Sequence, residues 1–342
     1  MVDNTARIKG VGFAVPEQVR TNDAPVFDWI KAHPPPHTDL FQGFDQRRIL
    51  APGQTVVGLM AEAAAAALVD AGLGAGDIDL LVGAASVADY ISPNDLVALH
   101  QTLNLPSRCQ VLPLGTEFTI FNDGLVLAEA LIRTGRGLRN ALVVCGCNWS
   151  RHVSYHEATC IGAADGAGAA VMAVTDDPQR FALVDVVTDT DTGYFGAMHM
   201  SARPAGTIDP PPPYLAESFT TPLMYIGDEG AASYKEYGAK IPPRIVDRLL
   251  RRNGLAADEI TLIAHQASSV LSGAWAEAIR PGQYLTTLTE YANMTSASVP
   301  VTLAALYPEI ARDNLVLLTI GLQQQTSAVL LRRRCARGQV AV

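Results

Sequence analysis

The chain has 342 residues, 49% of them hydrophobic, and a formal net charge of −9. It is long and apolar enough to bury a large core, and its length alone fits about two domains of ordinary size. The acidic balance argues against a nucleic-acid partner, whose phosphates need a basic surface.

No apolar run approaches the roughly 20 residues that cross a bilayer, so no membrane partner is expected. The N-terminus, Met1-Val-Asp-Asn-Thr, lacks the basic region and apolar stretch of a secretory signal. Five cysteines, an odd number in a large chain, read as reduced thiols. The expected location is cytoplasmic.

In chain order, Gly10–Asn22 reads as a strand and turn, and Gln46–Ile49 followed by Ala51–Thr55 as a second landmark. Ala71–Val82 (AGLGAGDIDLLV) reads as a helix end followed by a strand, with Gly72 placed to cap the helix in a left-handed conformation. Leu103–Glu117 reads as a helix end, a strand and a sharp turn, and Phe118–Arg133 as an apolar helix stopping at Gly135. Ala141–Val144 is an apolar strand leading to a second at Ala169–Met172. The strand at Ala141–Val144 and the helix before it are expected to line a dimer interface. Residues 195–230, with the run Pro210–Pro213, are expected to be an inserted loop; one that long inside a compact unit is functional, mobile or a surface connector.

The chain then repeats itself. Asn253–Ala264 (NGLAADEITLIA) copies Ala71–Val82, pairing Gly72 with Gly254, Leu73 with Leu255, Ile78 with Ile260 and Leu80 with Leu262. Leu315–Leu318 followed by Ser327–Leu330 echoes the two earlier apolar strands. Near-continuous apolar strands alternating with helices imply sheets covered on both faces. We therefore expect two duplicated halves, residues 1–175 and 176–342, interlocked in one unit.

The landmarks together resemble the β-ketoacyl-ACP synthase III family of thiolase-fold condensing enzymes. Asp165–Ala170 (DGAGAA), His265-Gln-Ala267, Asn293–Pro300 (NMTSASVP) and the stretch Gly321–Ala328 fall in the family's order, after the two opening landmarks. The resemblance covers nearly the whole chain. It implies an α/β, thiolase-like αβαβα sandwich. It also implies a dimer (a homodimer, or a heterodimer with a paralogue) and an acyltransferase using acyl-CoA or acyl-ACP as substrate with no permanently bound cofactor.

One position departs from the family. Counted without gaps from Leu103, the nucleophilic cysteine falls on Glu117; counted back from Gly135, it falls on Phe118. The covalent chemistry of the family is therefore expected to be absent. A carboxylate at Glu117 could act as general base, or attack a thioester itself. It could also be a vestige, since acidic residues suit a helix's first turn. Thr116 and Thr119 are secondary acceptor candidates, though Thr116 suits helix capping equally.

His265 and Asn293 match the family pair that donates hydrogen bonds to a thioester carbonyl. Gly321 and Leu322 occupy its oxyanion loop, where three glutamines replace a more open pattern; these could add amide donors or fill space. Trp29 and Arg151 fall where the family sandwiches the adenine of coenzyme A, and His33 replaces a nearby arginine. Val270 and Glu277 stand where the family has basic residues for docking an acyl carrier protein, so that partner is expected only as a possibility.

Other groups read as structural. Cys145 and Cys147 look like buried thiols, Gly166 and Gly168 like sites of close backbone packing, and His152 and His156 like loop residues. No zinc spacing is present, so no metal is expected. The leading expectation is an acyltransferase of polyketide-type or fatty-acid-type metabolism, working on a thioester without an acyl-cysteine, with Glu117 as base. The alternatives are a non-catalytic subunit supporting an active paralogue and a decarboxylase of a malonyl-type thioester.

Overall fold

A computed structural model describes residues 6–89, 92–134, 137–201, 223–322 and 324–333. In the first half, the strands are β1 (Ala6–Ala14), β2 (Val19–Thr21), β3 (Gln46–Arg48), β4 (Leu80–Ser86), β5 (Gln110–Pro113), β6 (Asn140–Asn148) and β7 (Asp165–Val174). The second half holds β8 (Ala182–Thr190), β9 (Met198–Ser201), β10 (Leu223–Ile226), β11 (Ile260–Ala264), β12 (Gln283–Leu285), β13 (Asn314–Ile320) and β14 (Gln325–Arg332). The helices are α1 (Asp28–Ala32), α2 (Val56–Ala71), α3 (Asp95–Thr102), α4 (Ile120–Arg133), α5 (Asp228–Arg252), α6 (Ser269–Ile279), α7 (Leu288–Tyr291) and α8 (Ser298–Ala305).

Ten strands follow the order β12-β11-β13-β14-β8-β1-β7-β6-β4-β5. On one side β5, β4 and β6 are parallel, and β7 and β1 are added antiparallel. On the other side β12, β11 and β13 are parallel, and β14 and β8 are added antiparallel. The two five-stranded sets meet antiparallel at a single pair, Arg7 with Ala182. Helices α4 and α8 lie between the sets, α2 and α3 cover one outer face, and α5 and α6 cover the other. This is the five-layer thiolase arrangement.

The duplicated segments are the same structure twice. Gly72 and Gly254 take φ +64° and +63°, where a side chain would be strained. Each starts the same cap, Leu73 N–H donating to Leu68 and Leu255 N–H to Leu250, both at 3.0 Å. Asp77 then accepts from the Gly74 amide and Glu259 from the Ala256 amide.

Two expectations need correction. The strand at Ala141–Val144 belongs to β6, between β7 and β4, and those residues are all 0% exposed. Enclosed on both sides and both faces within its own chain, it has no surface to offer a partner; the strand at the edge of that set is β5. The expected loop 195–230 holds two strands, Met198–Ser201 and Leu223–Ile226, which pair antiparallel, β9 with β10. Its alternating Met198, Met200, Met224 and Ile226 turn toward one apolar cluster, which a period of two explains. The proline run 210–213 lies outside the described residues.

Candidate active site

The chemistry-bearing residues gather where the parallel strands end. Glu117 follows β5 and heads a tight turn, Glu117–Thr119, that runs straight into α4. Its φ is +44°, in the left-handed region that non-glycine residues rarely occupy. Such strain persists only where the surroundings impose it, and it concentrates at functional positions. The carboxyl is largely buried. Its one hydrogen bond among the described residues comes from the Ser86 hydroxyl, at the end of β4, which donates to Oε2 at 3.3 Å. Desolvation raises its pKa, and the Ser86 bond only partly opposes this.

His265 leaves the end of β11, its amide donating to the Leu318 carbonyl of β13 at 2.8 Å. The ring is 2% exposed and its Nδ1 has no hydrogen-bond partner among the described residues. Burial lowers its pKa to about 4, with the Thr295 backbone pulling weakly the other way, so the ring is neutral at physiological pH. The Phe118 ring stacks on it, which fixes the Glu117 turn beside the imidazole.

Asn293 is held by its backbone and its carbonyl oxygen. Its N–H donates to Gly162, its C=O accepts from Ala164, and its Oδ1 accepts from the Thr295 amide at 2.9 Å. That last bond orients the side chain, and no described residue takes up its Nδ2 protons. Thr295, at φ +46°, also places its hydroxyl 3.1 Å from Cys147 Sγ. One compact constellation thus contains Glu117, Phe118, His265, Asn293, Thr295, Ser86 and Cys147. Ser86, Thr295 and Cys147 were not singled out as site residues, and Phe118 only as the alternative position of the family's cysteine; strands from distant segments bring in Ser86 and Cys147.

Asn122 anchors the head of α4. Fully buried, it donates from Nδ2 to the carbonyls of Leu317 and Ser327 and to the Thr319 hydroxyl, at 3.0–3.2 Å. This ties the turn carrying Glu117 to β13 and β14, the strands flanking the Gly321–Leu322 loop.

Other candidates fare differently. The Thr119 hydroxyl is 0% exposed and bonded to the Thr116 carbonyl and Asp123 Oδ2, which removes it as an acyl acceptor. The Gly321 amide donates to the Gln325 carbonyl at 2.7 Å, closing the turn between β13 and β14, so it is not free for an oxyanion. Leu322 is 9% exposed and packs into the apolar cluster beside the site. Gln324 spends its amide nitrogen on Ser233. Cys145 and Cys147 are wholly buried, their pKa values pushed up by desolvation.

The Trp29 ring meets two imidazoles, with His33 at 5.1 Å and His156 at 4.4 Å between ring centroids. The Arg151 guanidinium instead grips the carbonyls of Ala51 and Gln54. Among the described residues no contact joins Trp29 to Arg151. Asp165, fully buried at the start of β7, accepts from Leu50 N, Ser150 N and Ser150 Oγ. On α6, Val270 is 46% exposed and the helix carries no basic residue.

Two family models match the chain: 3-oxoacyl-[acyl-carrier-protein] synthase III over residues 118–192 and its C-terminal counterpart over 250–332. A β-ketoacyl-[acyl-carrier-protein] synthase III of Bradyrhizobium diazoefficiens is 30% identical over 323 residues, covering 91% of this chain and 93% of that protein. A crystal structure of the Pseudomonas aeruginosa 3-oxoacyl-(acyl carrier protein) synthase III is similar at TM-score 0.79 and 26% identity, covering 97% of this chain and 99% of that one. The priming β-ketosynthase of the R1128 polyketide pathway shares the fold at TM-score 0.81 and 21% identity, covering 96% of this chain and 97% of that one.

Proposed function

The chain belongs to the β-ketoacyl-ACP synthase III family, and from that premise we propose that it transfers an acyl group from a CoA or carrier-protein thioester directly to an acceptor, with no acyl-enzyme. The observation that carries this reading is Glu117. A buried carboxyl sits at the strained head of α4, beside two groups suited to hold a thioester carbonyl.

In this reading the Glu117 carboxylate takes the proton of an acceptor O–H, N–H or acidic C–H. The acceptor attacks the thioester carbonyl. The oxyanion is held by the Asn293 amide and the neutral His265 ring, each fixed donor contributing about 3 kcal/mol at the transition state. The C–S bond then breaks, and the departing thiolate recovers the proton from Glu117. The raised pKa of Glu117 supports this role, because a base that must also return its proton works best when its pKa approaches the working pH. Trp29 with its flanking histidines, and Arg151, are assigned to the donor's nucleotide end. The protein is proposed to act as a dimer in specialised polyketide-type or fatty-acid metabolism.

The test is turnover of an acyl-thioester panel with oxygen, nitrogen and carbon acceptors, measured as free thiol release. Thiol release that depends on acceptor and on Glu117 is the expected result. Release of carbon dioxide from malonyl thioesters without any acceptor, unaffected by Glu117→Gln, would replace transfer by decarboxylation. Inactivity toward every thioester would leave a supporting subunit.

A further inference from the structure

At the pole opposite the site lies an open groove of about 1110 Å³, formed where β1 and β8 begin, β14 ends and the 311–314 turn enters β13. Strand β13 runs seven residues from Asn314 at this groove to Ile320 at the site end. At ~3.3 Å per residue the two regions stand about 20 Å apart.

Four arginines line the groove: Arg7, Arg312, Arg332 and Arg333. Arg333 is neutralised by Asp313 at 3.6 Å, and it also donates to the carbonyls of Ile310 and Arg312. The other three have no acidic partner among the described residues. Arg332 donates to the neutral Asn314 side chain. Arg312 is exposed, and its guanidinium has no hydrogen-bond partner among the described residues. Arg7 is 3% exposed, and among the described residues its side chain makes one hydrogen bond, to the Arg180 carbonyl at 3.0 Å. Glu259, the remaining carboxylate of the lining, is already engaged by the Ala256 amide.

A guanidinium buried with no anion beside it among the described residues carries a desolvation cost that a single carbonyl offsets only in part. That cost stands out in a protein of net charge −9. Because Arg7 is sunk below the surface, only a slender anion that enters the groove can reach it. Ala182, Val184 and Leu255 add an apolar flank.

We propose that this groove is a second binding site, distinct from the Glu117 site, for a diphosphate-bearing small molecule of nucleotide type. The diphosphate lies across Arg7, Arg312 and Arg332, where planar guanidinium forks suit phosphate oxygens. The nucleoside rests on the apolar flank.

Titration calorimetry of the full chain with ADP, and separately with inorganic pyrophosphate, tests this. The expected result is saturable ADP binding that in Trp29→Ala, where the donor's nucleotide end no longer competes for the ligand, is one-to-one, and that adding the Arg312→Gln/Arg332→Gln double variant weakens about tenfold or more. Both arginines of the double variant are surface-accessible, so the fold is kept; an unchanged melting curve verifies that. Pyrophosphate binding as tightly as ADP would make the phosphates the whole determinant, and weaker binding would assign part of the affinity to the nucleoside. Three outcomes would overturn the proposal: no ADP binding at millimolar concentration, binding unaltered in the double variant, or binding lost in Trp29→Ala.

Discussion

Phe118 and His265 lie nearly flat on one another, ring centroids 5.3 Å apart and planes 17° from parallel. One belongs to the turn after β5, the other to the end of β11, so the contact joins the two duplicated halves at the site. It brings the turn that carries Glu117 to the histidine and helps to dry the ring. Burial of the two groups keeps the imidazole neutral and makes the carboxyl hard to ionise.

Glu117→Gln keeps size and hydrogen bonding while removing the carboxylate. Turnover should fall roughly 10²- to 10⁴-fold with substrate binding little changed. His265→Ala and Asn293→Ala should each lower turnover by about 10²-fold or more through the lost carbonyl donors. Steady-state kinetics with calorimetric thioester affinities separate the two effects; three variants with parental activity would remove catalysis from this chain.

The same Glu117→Gln variant should be more stable than the parent at alkaline pH. Glu117 has a folded-state pKa above its unfolded value. Its contribution is therefore fully present below the unfolded value, about 4.3, and is lost as pH rises through the folded one. Melting curves from pH 4 to pH 9 should converge at the acid end and separate at the alkaline end. A glutamine variant that melts lower at pH 9 would show that the carboxylate has a stabilising partner.

His265 acts with the opposite sign. Its folded pKa of about 4 lies below the unfolded value of 6.5. Stability is present above 6.5 and drains as pH falls toward about 4, a loss on the order of 3 kcal/mol. A His265→Gln variant should lose less stability over that window, and denaturant titrations at pH 7 and pH 4.5 measure the difference.

None of Cys109, Cys145, Cys147 or Cys160 should form a stoichiometric thioester with acyl-CoA. All four are buried, and burial pushes the thiols of Cys109 and Cys160 up to about 11, and those of Cys145 and Cys147 higher. A protonated thiol is a poor nucleophile. Intact-mass spectrometry after incubation reads the outcome directly; an adduct on any cysteine would restore an acyl-enzyme mechanism.

Gly168→Ala should destabilise the fold by about 1–3 kcal/mol. A Cβ there would sit 2.7 Å from the Pro300 carbonyl carbon and the Val301 amide, so backbone rather than a mobile side chain must yield. Thermal unfolding checks this, and an unchanged midpoint would mean that α8 moves away from β7 without cost.

The sequence by itself showed two repeated halves with buried sheets through local rules, and through its family resemblance it pointed to the thiolase-like fold. Gly72 and Gly254 announced two matching helix ends because only a residue free of Cβ strain suits φ near +64°. The buried strands announced themselves as continuous apolar runs. Glu117, His265 and Asn293 were legible through the family resemblance, the last two as matches to its histidine and asparagine motifs and Glu117 as the residue on which one count places its cysteine. Tertiary structure alone decided the rest. Whether β6 or β5 stands at the edge depends on strand order, which periodicity does not encode. The Gly321 amide is spent because β13 and β14 close a turn on it. Ser86 reaches Glu117 from β4, Cys147 reaches Thr295 from β6, and Arg7 meets Arg312 and Arg332 across about 300 residues of chain. Contacts between residues that far apart follow from how sheets stack and which ends converge, and no local pattern records them.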